Sequence, residues 1–233
     1  MNQPIIRTHD LHRIYHLGGE DVHAVEGISL EILPAQMTAI VGRSGSGKTT
    51  FLNLISGLDR PTQGEVWFEG KRLDTLNESA LLRMRQERIG FVFQAFGLLP
   101  LLSAAENVGV PLRMRGLPSQ EREERVVEAL SWVGLLERAK HRPYELSGGE
   151  QQRIAIARAL AARPSIILAD EPTGQLDSST GRRILDLLRR LVVEQHMTIV
   201  VVTHDPQVMV EADVVHELRD GRLLDTRLAS AAV

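Results

Sequence analysis

The stretch Gly42-Arg43-Ser44-Gly45-Ser46-Gly47-Lys48-Thr49-Thr50 matches the pattern G-x-x-x-x-G-K-[ST] at every fixed position. Its residue types suit a phosphate. Glycines let the chain curl so that successive N–H groups point into one concavity. A helix that follows adds free N–H groups and the positive end of its dipole. On this reading Lys48 brings a full charge to the β- and γ-phosphates of a nucleotide. Thr49 offers its hydroxyl to a magnesium ion that holds the same phosphates. The same letters could also form a plain Gly/Ser turn, so the flanking elements decide.

Two further clusters carry chemistry. Asp170-Glu171 follows the apolar run Ile166-Ile167-Leu168-Ala169. An apolar strand there delivers two carboxylates to its C-terminal end, where ligands sit in open α/β sheets. Alone this is a polar strand exit stopped by Pro172. Beside a phosphate loop, Asp170 is suited to magnesium and Glu171 to polarising the water that attacks the γ-phosphate. The second cluster is Leu146-Ser147-Gly148-Gly149-Glu150-Gln151. Ser147 and Glu150 have capping-box spacing at a helix start. Glycines are poor helix formers, so Gly148 and Gly149 point to a backbone that something must approach closely. A serine hydroxyl with bare N–H groups at a helix N-terminus is an anion site.

These residues need elements to hold them. Residues 37–41 read as a short buried strand entering the phosphate loop, and 50–56 as a helix stopped by Gly57. Earlier strands are expected at 5–9 and 22–32, with Tyr15 and Gly18-Gly19 in the link between them. Further strands are expected at 64–70, 89–93, 165–169 and 198–202. A polar helix starts near Asn77, a good N-cap. From Ala95 to about Ala162 the texture is helical, with helices at 103–114, 120–133 and 150–162. A helix at 178–194 and a short one after Asp205-Pro206 follow. Asp220-Gly221, between 214–218 and 222–225, is a two-residue hairpin signal. The order implies an α/β fold: a mostly parallel sheet with right-handed crossovers, an antiparallel β portion and an inserted helical unit. The expected division is 1–94 with 163–225 as the core, 95–162 as the helical unit, and 226–233 as a tail. The early strands and the last hairpin are assigned to the antiparallel portion.

The 233 residues suit one large domain or two joined lobes, and 43% hydrophobic residues supply a sizeable core. Lys+Arg is 27 against Asp+Glu 30, a net charge of −3, which argues against a general affinity for nucleic acid. With no cysteine, disulfides, thiolate metal sites and cysteine nucleophiles are excluded. The first residues lack the charged-then-apolar design of a signal peptide, and no run nears the ~20 apolar residues of a membrane span. The expectation is a protein that meets a membrane through a partner, on its cytoplasmic side.

The loop at 42–49, Gln94, Leu146–Gln151, Asp170-Glu171, Leu176-Asp177 and His204 resemble, in order and spacing, the motifs of ATP-binding-cassette (ABC) ATPases. The resemblance spans nearly the whole chain. It implies a P-loop NTPase that binds ATP and Mg2+ in sites shared between two subunits. The phosphate loop of one subunit would face Ser147, Gly148 and Gly149 of the other, and Asp177 would lie in the loop that crosses between them. Tyr15 resembles the aromatic that stacks on adenine. Gln94 resembles the glutamine that reaches magnesium and the attacking water. His204 resembles the histidine that contacts the γ-phosphate and steadies Glu171. Gln175 departs from the usual Asn, Ala or Ser.

The family docks a permease helix near Gln94, and the apolar run at 96–102 fits such a groove. With Gly57-Leu58-Asp59-Arg60-Pro61-Thr62 and Ala105-Glu106-Asn107-Val108, it looks like the branch that serves lipoprotein-release and macrolide-export permeases. Gly97 stands where that branch more commonly has a polar residue. The alternatives are the ATPase of a polar amino-acid or small-solute importer and, lower, an ABC ATPase without a permease.

Overall fold

The computed structural model describes residues 3–228. Strand β1 (Ile6–Leu17) pairs antiparallel with β2 (Glu20–Ile32), and Tyr15 sits opposite Val22 inside that ladder. Tyr15 is therefore a strand residue and not part of a link. The strand runs on past His9 without an alternating pattern because its register shifts three times between Thr8 and Ile14. Strand β3 (Met37–Val41) enters the phosphate loop, and helix α1 (Lys48–Ile55) leaves it two residues earlier than expected. Strands β4 (Gln63–Phe68) and β5 (Lys71–Arg72) complete a four-stranded antiparallel sheet of order β2-β1-β4-β5.

Helix α2 (Glu78–Arg88) starts where Asn77 accepts the Ala80 N–H at 2.9 Å, and strand β6 (Ile89–Phe93) follows. Next come α3 (Ala104–Met114), α4 (Ser119–Trp132) and α5 (Gly148–Ala161), which pack on one another. Short 3-10 turns at Leu136–Arg138 and Pro143–Glu145 lead into α5. The alternation then resumes: β7 (Ile166–Asp170), α6 (Ser178–Gln195), β8 (Thr198–Thr203), α7 (Pro206–Glu211), β9 (Val214–Arg219) and β10 (Arg222–Leu228).

The second sheet has the order β10-β9-β3-β8-β7-β6, with β9, β3, β8, β7 and β6 mutually parallel. The last hairpin belongs to this sheet and not to the antiparallel one: β9 lies parallel to β3, and only β10 runs against β9. Asp220 and Gly221 both have positive φ, 48° and 77°, as a type I′ turn requires. Strand β10 continues to Leu228, past the expected start of a tail at 226; the rest of that expected tail, 229–233, lies outside the described residues.

Both faces of the six-stranded sheet are covered, which explains its near-continuous apolar strands. Met37, Ala39, Ile199 and Val201 face a core shared with α3–α6. Ile40, Val200, Val202 and Leu168 face the other way, onto Phe51 and Leu54 of α1 and Ile6 and Ile28 of the antiparallel sheet. The phosphate loop, Asp170-Glu171 and His204 thus follow the C-terminal ends of three adjacent parallel strands, β3, β7 and β8.

Candidate nucleotide site

The phosphate loop is built by close approach. Gly47 has φ 92°, and a Cβ there would fall under 3.0 Å from the Ala24 carbonyl oxygen. A Cβ at Gly42 would meet the Leu218 carbonyl equally closely. The turn of the last hairpin braces the loop, since Gly221 N–H donates to Ser46 O at 3.2 Å and Glu26 N–H donates to Gly221 O at 2.8 Å. No sequence pattern announces this bracing. Ser44 and Gly45 are exposed, and Thr50, in the first turn of α1, is half-buried. The Ser46 hydroxyl is buried and without a partner among the described residues. Lys48 is 8% exposed, and its Nζ donates to Gly42 O and Arg43 O, each at 2.9 Å. An ammonium has three N–H donors, so one is left for a ligand in the concavity.

Thr49 and Asp170, distant in sequence, meet here: Thr49 Oγ1 lies 3.2 Å from Asp170 Oδ2. Burial pushes the Asp170 carboxyl up from its usual range; the Thr49 hydrogen bond pulls it down, Glu171 raises it and Lys48 lowers it. A hydroxyl beside a carboxylate at the foot of a phosphate loop is the oxygen donor set that suits magnesium.

Glu171 is the most constrained residue of the site. Its φ is 48°, a conformation that is uncommon for a glutamate. Its N–H donates to Val202 O at 2.8 Å, and its own carbonyl accepts from Gly174 N–H at 3.0 Å. One carboxylate oxygen accepts from Thr203 Oγ1 at 3.0 Å, and the other lies 2.8 Å from His204 Nδ1. The carboxylate is 17% exposed and the His204 ring 71%. A carboxylate fixed at both oxygens, with an exposed imidazole beside it, can hold a water and accept its proton. Thr203 is a site residue that sequence reading misses. Its only signal is its place as the last residue of an apolar strand, directly before His204.

Other predicted residues surround this cluster at a distance. Gln94 follows Phe93, the partner of Asp170 in the β6–β7 ladder. Its side chain lies against Gly174, where a Cβ would sit 2.8 Å from Gln94 Nε2. Tyr15 donates its hydroxyl to Asp59 Oδ2 at 2.7 Å, and the Arg13 guanidinium covers one ring face at 4.4 Å. Asp177 caps α6, accepting from Ser179 N–H and Thr180 N–H at 3.0 Å each. The Ser179 hydroxyl, which donates to the same carboxylate oxygen at 2.7 Å, is the largest cause holding this carboxyl well below the usual range, with Thr180 next.

Ser147, Gly148 and Gly149 do not join the phosphate loop of their own chain. Ser147 and Glu150 form the expected capping box at the start of α5. The glycines pack on the 176–180 segment instead: Gly148 faces Leu176, and a Cβ at Gly149 would fall under 3.0 Å from the Thr180 methyl. Helix α5 starts at Gly148, so both glycines lie inside its first turn.

Next to Gln94 the chain forms a groove of about 400 Å³ whose lining includes Leu58, Phe91, Phe93, Pro111 and Met114. The 96–102 loop beside it is pinned from two sides. Buried Asn107 accepts from Leu99 N–H at 2.7 Å and donates to the carbonyls of Leu99, Leu102 and Ser103. Arg158 of α5 donates to the carbonyls of Phe96 and Gly97. Phe96 and Gly97 have φ of 55° and 62°, which gives glycine at 97 a backbone reason.

A P-loop α/β core with an inserted helical unit and a strand-end Asp-Glu pair defines the class, a nucleotide-binding ATPase cassette. The profile of the ABC transporter family matches residues 25–174. The chain therefore belongs to the ABC transporter family and is its ATP-binding, ATP-hydrolysing cassette. It is 46% identical to the lipoprotein-releasing system ATP-binding protein LolD of Chromohalobacter salexigens, over 95% of this chain and 94% of that one. It is 45% identical to the macrolide export ATP-binding/permease protein MacB of Wolinella succinogenes, over 96% of this chain but 34% of that longer one. Among solved structures it matches a dimeric post-hydrolysis state of the ATP-binding cassette MJ0796 bound to ADP and Pi. The TM-score is 0.88 at 42% identity, covering 97% of this chain and 99% of that one.

Proposed function

We propose that two copies of this chain close around two ATP–Mg2+ and drive a membrane permease of the exporter or lipoprotein- and peptide-extrusion kind. The observation that carries this reading is Glu171, held by Thr203 and His204 beside the Thr49–Asp170 pair. Lys48 and the loop from Gly42 to Thr50 bind the phosphates, and Tyr15 stacks on the base with the face away from Arg13. Magnesium, when bound by Thr49, Asp170 and Gln94, neutralises charge on the phosphate oxygens. Glu171 accepts the proton of the attacking water, and His204 steadies Glu171 and reaches the γ-phosphate. Catalysis on this reading is placement plus charge stabilisation.

Ser147, Gly148 and Gly149 serve the ATP of the opposite subunit, with Asp177 in the crossing loop. Their distance from their own phosphate loop supports that division, as does the dimeric state of the MJ0796 structure. We assign residues 95–162 as the unit that carries this contact and the permease groove, and 1–94 with 163–225 as the core. Among the described residues no helix is long and apolar enough to cross a membrane. We place the chain at the cytoplasmic side of the membrane, held there by the permease, and the exporter branch is favoured by the likeness to LolD and MacB.

Glu171→Gln tests the mechanism. The variant should bind ATP, keep only a small residual rate of phosphate release, and run as an ATP-dependent dimer in size exclusion. Monomers only, alone and with the permease, would refute the clamp. Lys48→Ala should lose most nucleotide binding, and an unchanged ATP affinity would contradict its role.

A further inference from the structure

Strands β6 and β7 pair in register up to Phe93 and Asp170, and the ladder stops there. One residue further on, each strand exit carries a side chain assigned to the reaction, Gln94 on one and Glu171 on the other. No backbone ladder sets the distance between these exits. One side chain spans them. Gln152, in the second turn of α5, is 0% exposed. Its Nε2 donates to Pro172 O at 2.7 Å and reaches Phe93 O at 3.5 Å. Pro172 directly follows Glu171, and Phe93 directly precedes Gln94.

The group is costly where it stands. Its Oε1 is buried and has no partner among the described residues. An apolar side chain of the same length would fill the space and only exchange one unpaired acceptor, the Gln152 oxygen, for another, the Pro172 carbonyl. Packing alone therefore does not account for an amide at this position. The amide does supply two donors aimed at two carbonyls, and both carbonyls belong to residues flanking the proposed reactive pair. The same α5 begins at Ser147 and Gly148, the face assigned to the other subunit's ATP. Glu171 also holds a left-handed φ, which persists only where its surroundings over-determine it.

We propose that Gln152 is a positioning residue that ties the exits of β6 and β7 to α5, and so sets Gln94 and Glu171 relative to one another. It touches no substrate, and it acts through the carbonyls on either side of the two. The inference rests on the assignment of Glu171 as the proton acceptor.

The test is steady-state phosphate release by the full chain, with its ATP KM and melting temperature. The variants are Gln152→Met and, should that one fold poorly, Gln152→Leu. Both remove the donors and the orphan oxygen together. The expected result is a kcat lowered about tenfold or more, an ATP KM within about twofold, and a melting temperature within roughly 4 °C of wild type. Residues that act as a unit are non-additive, so in a Glu171→Gln background the same change should lower the residual rate no further. A wild-type kcat, a parallel fall of kcat and melting temperature, or an equal loss in both backgrounds would overturn the role of Gln152. An active Glu171→Gln would instead overturn the site assignment on which it rests.

Discussion

Replacing Gly149 with alanine should destabilise the protein, against the usual sign for a glycine inside a helix. Gly149 lies in the first turn of α5, where alanine gains at most ~1 kcal/mol from propensity. The new Cβ would fall under 3.0 Å from Thr180 Cγ2, short of the ~3.5 Å at which carbon atoms make contact. The methyl cannot swing aside freely. The Thr180 hydroxyl accepts from Arg183 Nη2 at 3.0 Å, and its N–H is held by the Asp177 cap. Overpacking of this kind costs about 1–3 kcal/mol, so the net loss is about 0.5–2 kcal/mol. For a chain of this size that lowers the melting temperature by roughly 1–8 °C. Thr180→Ser keeps the hydroxyl and removes the methyl, so in that background Gly149→Ala should become neutral or stabilising. Calorimetry on the four proteins of this double-mutant cycle measures the coupling. An equal decrement in both backgrounds, or a stabilising Gly149→Ala alone, would refute the packing argument. Phosphate release gives the second readout. If Gly149 also faces the partner's γ-phosphate, turnover stays low in the double variant after stability has returned.

Asn107→Ala should cost about 2–4 kcal/mol, because one buried amide serves four backbone groups of the 99–103 segment. The check is a melting temperature lower by roughly 4–16 °C together with faster proteolysis between 96 and 102. Burial pushes the His216 imidazolium down, while an unfolded histidine titrates near ~6.5. Below that value the unfolded chain binds the extra proton, so stability is full above it and is lost as pH falls. His216→Gln keeps a partner for Thr226 Oγ1 and does not titrate. Its melting temperature relative to wild type should therefore rise as pH drops from about 7.5 to about 5, and a constant difference would count against the buried neutral ring.

Much of the site is legible in the sequence alone. The phosphate loop, the strand-end carboxylates and the capping box are local patterns, each set by neighbours within a few residues. Strands 37–41 and 89–93 and the Asn77 cap are legible for the same reason. Tyr15 reads as a link residue because bulges erase alternation. The final hairpin reads as part of the wrong sheet because pairing partners are not encoded locally. Thr203, Gln152 and the hairpin turn behind Ser46 have no motif of their own. They matter through residues that lie tens of positions away.

The sequence by itself determined which residues can bind phosphate, hold a metal or move a proton, because those capacities belong to side chains and short backbone turns. It could not say why Gly149 lacks a side chain, since the Thr180 methyl that forbids one comes from another helix. Nor could it bring Thr49 to Asp170, or Glu171 to Thr203 and His204. Only the parallel packing of β3, β8 and β7 does that, because it lines up strand ends that the chain reaches at residues 41, 203 and 170.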